Sequence, residues 1–396
     1  MYLTKYNKVS LVNLLLRKLI YSNSFIVNLI SLGKNGIGLS REAFVQLLND
    51  SYSKINVDAT DGKLNTPLIL ACLKGHYQIA KVLISYKANV NKDNVKENRP
   101  LFFACFSNNV QIAKLLLDTN KIEINHKNND GDTELSIACI NDNPELIHLL
   151  MDHQADINTI NQKGYSPIHV ATINNKLETL KALHERGADF NSDNSIGNQC
   201  FSLASINGYR EIMDYLVSLN VDYNHTNNSG DSALHQCCIL QKVDMVKYIL
   251  NLDRVVIDVP NSYGFTPFLI ACKKNSLELV KIFLEHKDAN TINFNVKSNG
   301  GDFPLFYATH YKNVELIRIL LDRHADVYNE RDAERFSCFT PFLMACSYFG
   351  NVEIIQIFLD HGVDVNRPNS FGFYPIAVAC KSERIEQVRI LLEHGA

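Results

Sequence analysis

A two-residue phrase, Ala-Cys or a close variant, recurs along the chain at intervals of mostly 33 or 34 residues. It stands as Ala71-Cys72, Ala104-Cys105, Ala138-Cys139, Ala271-Cys272, Ala345-Cys346 and Ala379-Cys380. Softer copies are Ala171-Thr172, Ala204-Ser205, Cys237-Cys238 and Ala308-Thr309. A fixed short period constrains a fold more than any local pattern, because one supersecondary unit must be stacked many times. A stacked array offers a long surface and seldom a catalytic pocket.

Counting back four residues from each alanine (or from Cys237) gives anchors at 67, 100, 134, 167, 200, 233, 267, 304, 341 and 375. Seven of the ten are proline, which suits a first helical turn, where the missing N–H would be unpaired and the fixed φ is already helical. Thr66, Ser166, Thr266 and Thr340 precede four of them and place a hydroxyl where it can cap a free N–H, worth about 1 kcal/mol each. A short apolar stretch follows each anchor, then a polar turn, then a clearer amphipathic helix. Leu277, Val280, Ile282, Phe283 and Leu284 recur in kind as Val314, Ile317, Ile319, Leu320 and Leu321, an apolar stripe on one helical face. Gly131, Gly164, Gly197, Gly230, Gly264, Gly301 and Gly372 each stand three residues before an anchor and predict a turn with positive φ. The unit reads as helix, turn, helix, extended turn.

These residues resemble the ankyrin repeat. Residues 264–272 (Gly-Phe-Thr-Pro-Phe-Leu-Ile-Ala-Cys) and 356–366 (Gln-Ile-Phe-Leu-Asp-His-Gly-Val-Asp-Val-Asn) follow the family pattern closely. The family's closing asparagine is matched by Asn91, Asn125, Asn158, Asn191, Asn224, Asn295 and Asn366. Some copies are loose: Glu134 and Cys200 stand where proline is usual, and Glu97 and Cys338 where glycine is. The resemblance implies an all-α solenoid of about ten helix-turn-helix-hairpin repeats over residues 58–396, the last incomplete; residues 1–57 carry no anchor and read as an N-terminal helical cap over the open face of the first repeat. It also implies a protein-binding role.

Net charge of −3 and a pI near 6.5 give no electrostatic footprint for nucleic acid. Seven of the ten cysteines (72, 105, 139, 238, 272, 346 and 380) share one phase inside the first helix and read as buried small hydrophobes. No Cys-x-x-Cys spacing exists, so neither metal nor cofactor is expected, and free buried thiols fit a reducing, cytoplasmic compartment. His153, His286, His324, His361 and His394 sit at helix ends, where a donor suits the exposed carbonyls. His169 and His235 take a phase at which the family uses histidine structurally.

No apolar run reaches eighteen residues, and Arg17-Lys18 interrupts the short apolar stretch from Leu11 to Leu16, so neither a membrane span nor a leader is expected. The final helix predicts an apolar flank of Ile385, Val388 and Leu391, open to a further segment or a partner. No phosphate-cradling loop, kinase signature or zinc spacing is present, and no catalytic residue is assigned.

The leading expectation is a non-catalytic protein-interaction scaffold. The alternatives are the targeting region of a larger kinase, acyltransferase or ubiquitin ligase, and a secreted effector of an intracellular organism. By resemblance to the family, recognition falls on the residues beside the turn glycine and on the loop between the two helices. In the N-terminal half these positions are mostly small or polar, such as Asn129, Asp130 and Asp132. Towards the C-terminus they become aromatic: Tyr263, Phe265, Tyr311, Phe339, Tyr348, Phe371 and Phe373. Two steps of 37 residues imply insertions. One lies around His286–Thr291. The other adds four residues to the turn 329–337, where Tyr328 takes the asparagine phase and Arg331, Arg335 and Phe336 form a candidate recognition finger.

Overall fold

The computed structural model describes residues 56–330, 339–347 and 351–396. The expected cap over residues 1–57 lies almost entirely outside them. Among the described residues there are twenty α-helices, one 3-10 turn and no strand, only an isolated bridge between Thr226 and Ser232. The chain divides after Ser195 into two compact units.

The first unit contains α1 (Pro67–Lys74), α2 (Tyr77–Ser85), α3 (Pro100–Phe106), α4 (Val110–Leu117), α5 (Glu134–Ala138), α6 (Pro144–Asp152), α7 (Pro167–Ile173) and α8 (Leu177–Glu185). Odd-numbered helices pack on one another in order, and so do the even-numbered ones, each pair closing on itself. The second unit repeats the scheme. It holds α9 (Cys200–Asn207), α10 (Arg210–Ser218), α11 (Ala233–Ile239), α12 (Val243–Leu250), α13 (Pro267–Lys273), α14 (Leu277–Glu285), α15 (Pro304–His310), α16 (Val314–Asp322), α17 (Pro341–Cys346), α18 (Val352–Asp360), α19 (Pro375–Lys381) and α20 (Ile385–Glu393). Every anchor is the first residue of an odd-numbered helix, as the proline phase requires.

The caps follow the hydroxyl pattern. Thr66, Thr266 and Thr340 accept from the backbone N–H three residues on, each at 3.2 Å. Thr133 and Ser232 do the same before the two anchors that are Glu134 and Ala233. The cysteine phase is a buried slot: Cys72, Cys105, Cys139, Cys238, Cys272 and Cys346 are wholly enclosed. Where the slot holds Thr172, Ser205 or Thr309, the hydroxyl donates to the carbonyl four residues back at 2.6–2.9 Å, so the polar group is satisfied inside its own helix. Cys380 departs from the expectation and is exposed, because no neighbouring helix covers that side of α19 among the described residues. The flank of α20 is corrected in the same way. Leu391 is buried against the preceding repeat, and the apolar residues left in water are Ile385 and Leu392.

The insertion around His286–Thr291 is a 3-10 turn at Ala289–Thr291, entered through an extended His286. In the second unit Phe268 is completely buried and meets Phe283 and Phe294 edge-on, with ring centroids 6.1 and 5.3 Å apart. Burying one such ring contributes about 2–3 kcal/mol. Packing within this repeat is thus fixed by shape as well as by area.

Candidate interaction surface

The extended turns that join one repeat to the next are built around one side chain. Asn261 accepts from the N–H groups of Tyr263 and Phe265, both at 3.0 Å, while its own N–H donates to the Phe265 carbonyl. Asp61, Asn94, Asn128, Asn161, Asn227 and Asn369 repeat this arrangement six residues before their anchors. The amide that remains free reaches the preceding turn. Asn94 donates to Asn65, Asn128 to Asn98, Asn161 to Asp132 and, in the second unit, Asn261 to Asp231, at 2.7–3.0 Å.

Backbone bonds continue the linkage at the tips. In the first unit Val95, Asn129 and Gln162 donate to the carbonyls of Lys63, Lys96 and Asp130 at 3.0–3.1 Å. In the second, Asn228, Ser262 and Asn299 donate to Ile196, Ser229 and Tyr263 at 2.9–3.1 Å. The turns approach so closely that a Cβ on Gly264 (φ 77°) would lie 2.8 Å from the Asn299 nitrogen. Leu64 and Glu97 hold the same left-handed conformation without being glycine. The tips are therefore a preorganised platform within each unit, and side chains on them project from a fixed backbone.

Of the expected aromatic residues, Tyr263, Tyr311, Phe371 and Phe373 are exposed. Tyr263 is 59% exposed and Phe371 67%, while Tyr311, Phe373 and the neighbouring Tyr374 are 42–48% exposed. Phe265 and Phe339 are half-buried, and the Lys273 ammonium lies 4.0 Å from the centre of the Phe265 ring. Arg331, Arg335, Phe336 and Tyr348 lie outside the described residues. Glu330, which the sequence places in the lengthened turn 329–337, is held by two partners. Its carboxylate accepts from the Ser370 N–H at 2.7 Å and from the Ser370 hydroxyl, and its carbonyl accepts from Lys297. The contrast between polar N-terminal and aromatic C-terminal turns is also softened. Val95, Phe106 and Ile140 are exposed in the first unit, Phe106 by 54%.

Six of the seven histidines singled out by phase are structural. The His235 Nδ1 accepts from the Ser232 N–H at 3.1 Å, which leaves Nε2 as donor to the Phe265 carbonyl at 3.2 Å. This neutral tautomer is reinforced by burial, which pushes the His235 pKa below its usual value. His169 makes the equivalent pair with Ser166 and the Ser192 carbonyl. His153, His361 and His394 cap the carbonyls four residues back at 2.7–2.9 Å, whereas His286 reaches across to Leu250. Glu134, standing in for the anchor proline, is buried with one carboxylate oxygen unpartnered, and burial raises its pKa to about 7. The buried thiols of Cys72, Cys139, Cys272 and Cys346 are pushed well above their ordinary value by the same cause. Among the described residues no group of three His, Cys, Asp or Glu side chains is placed to hold a metal ion. No described helix is long and apolar enough to cross a membrane.

Paired short helices joined by interlocked turns define a helical-repeat binding protein. The family model described as ankyrin repeats (3 copies) matches residues 1–128, 120–194, 174–260, 201–293, 252–332 and 329–396. The chain belongs to the ankyrin repeat family, whose members generally act as protein-interaction modules. No curated protein matches it.

Proposed function

We propose that the chain is a non-catalytic scaffold that holds a protein partner on its turn tips and on the odd-numbered helices beside them. The observation that carries this reading is the exposure of Tyr263, Phe371 and Phe373 on turns whose backbones are fixed by hydrogen bonds. Exposed aromatic rings on a rigid support bind with little ordering cost, and tyrosine and phenylalanine are enriched at interface centres. Tyr311, Phe265 and Phe339 extend the same surface, and Arg331, Arg335, Phe336 and Tyr348 are assigned to it by their place in the repeat. A reducing, cytoplasmic setting suits the buried free thiols.

The test is capture of cross-linked partners by the intact chain and by a variant carrying Tyr263→Ser, Phe371→Ser and Phe373→Ser. Partner recovery should fall at least tenfold while helicity is unchanged. Undiminished recovery would remove these tips from the binding surface.

A further inference from the structure

From the scaffold reading and the charge pattern of the second unit, we infer that the odd-numbered helix ends of α13 and α15 bind an acidic, extended segment of the partner protein. The six odd-numbered helices of this unit contain no Asp or Glu at all. Lysines instead collect where these helices end: Lys273 and Lys274 at the end of α13 and Lys312 just past α15, all exposed, with Lys381 likewise ending α19. The lysines of the even-numbered helices are used differently, since Lys247 pairs with Glu278 at 3.9 Å and Lys281 with Glu315 at 2.6 Å. Among the described residues, Lys273, Lys274 and Lys312 have no such carboxylate.

The lysines stand among aromatic rings. Lys273 lies over Phe265, and Tyr311 stacks parallel to Tyr307 at 6.3 Å beside His310. A segment bound here meets positive charge and apolar surface alternately. Adjacent packed helices are about 10 Å apart, and an extended chain in the polyproline II form advances about 3.1 Å per residue with three residues per turn, so that every third side chain faces the same way. Acidic residues about three positions apart, with an apolar residue between them, therefore reach both helix ends together. Nucleic acid is the competing polyanion, and a net charge of −3 with a pI near 6.5 gives it no footprint on this chain.

The experiment uses the full chain and a fluorescent twelve-residue peptide with glutamate at every third position and leucine or phenylalanine between. Control probes are the same peptide with lysine for glutamate and a twelve-nucleotide oligothymidylate. The glutamate peptide should bind, with affinity falling as salt is raised. The double variant Lys273→Glu, Lys274→Glu should weaken it at least tenfold, Lys312→Glu should weaken it as well, and Lys287→Glu, just beyond α14, should not. Equal binding by the charge-reversed variants, no binding of the glutamate peptide, or tighter binding of oligothymidylate would each overturn the inference. A chain that ignores the glutamate peptide yet still captures a cross-linked partner through Tyr263, Phe371 and Phe373 fails here alone, leaving the scaffold reading in place.

Discussion

The Tyr328 hydroxyl accepts the Asp364 backbone N–H at 3.1 Å, the bond that an asparagine carboxamide makes in other repeats. Asn125 accepts from Asp156, Asn224 from Val256 and Asn295 from Asp326, at 2.7–2.9 Å. A tyrosine reaches the same donor with a longer side chain, and Arg367 covers its ring at 3.7 Å. Tyr328→Phe removes the acceptor and keeps the stacking. Because Asp364 is exposed and water can replace the hydroxyl, the loss should be about 0.5–1 kcal/mol. Amide hydrogen exchange at Asp364 reads it locally, as a two- to fivefold acceleration by that same figure (about 1.4 kcal/mol per tenfold). Tyr328→Asn should keep the parent's protection at the Asp364 amide while Arg367 loses the ring it covers.

Glu134 makes the opposite kind of substitution, a carboxyl where the repeat takes proline. Thr133 before it is already extended (φ −100°, ψ 171°), the conformation a proline demands of its predecessor. Burial raises the Glu134 pKa from 4.5 to about 7, so the folded state binds the proton more tightly than the unfolded chain. Its contribution is intact below pH 4.5 and is lost as pH rises through about 7. Glu134→Pro should stabilise the first unit by about 1 kcal/mol through chain entropy alone, and by more at pH 8 than at pH 5. Urea titrations at the two pH values check both the sign and the difference.

His235 works in the other direction. Its pKa is held below the ordinary 6.5, mainly by burial, and its Nδ1 is occupied as an acceptor from Ser232. Stability from this site is complete above pH 6.5 and declines as pH falls towards the depressed folded value, since the unfolded chain takes up the proton first. His361, whose pKa is raised chiefly by the Ile357 carbonyl with help from Asp322, has the contrary slope: it stabilises below 6.5 and is lost as pH rises through its folded value. The difference between the parent and His235→Gln isolates the first effect. That difference should shrink as pH is lowered from 7.5 to 5.5, and a constant gap would rule out the neutral tautomer as its cause.

Much of this fold is legible from one chain because the repeat prints the same physics ten times. Proline or a preceding hydroxyl at a fixed phase marks nine of the ten odd-numbered helix starts, all but Cys200, and the 37-residue step locates the 3-10 turn at Ala289–Thr291. The asparagine six residues before the anchor does not stand out, although Asn94, Asn128, Asn161, Asn227, Asn261 and Asn369 repeat it in plain view. Its importance rests on bonds to a neighbouring turn about thirty residues away, which no local pattern displays. Cys380 and Leu391 differ from expectation for the related reason that burial in a stack depends on which sides have a neighbour. Phe106 and Ile140 lie at helix ends of the N-terminal half, where the turn residues alone suggest a polar surface.

Thiol reactivity tests the stack directly. In a Cys338→Ser background, which removes the one cysteine outside the described residues, a single thiol should label rapidly in native buffer. Cys380→Ser should abolish that rapid phase, and the remaining cysteines should react only after denaturant is added. Rapid labelling of several thiols would mean that the shared slot is open.

The last prediction separates backbone strain from crowding at two glycines of nearly equal φ. Gly208, at 80°, ends α9, and a Cβ there would meet nothing within 4 Å. Gly264, at 77°, faces the Asn299 nitrogen at 2.8 Å and its side-chain oxygen at 2.7 Å. Alanine at either site must adopt left-handed φ at a cost of about 1–2 kcal/mol, offset by about 0.5–1 kcal/mol because glycine loses more freedom on folding. Gly208→Ala should therefore cost no more than about 1 kcal/mol. Gly264→Ala carries the same backbone cost and must also push neighbouring turns apart, breaking the bond from Asn299 to Tyr263, so it should cost at least about 1 kcal/mol more. Urea unfolding compares the two, and hydrogen exchange at the Asn299 amide should quicken only in Gly264→Ala. Equal losses would show that the turns are not locked together.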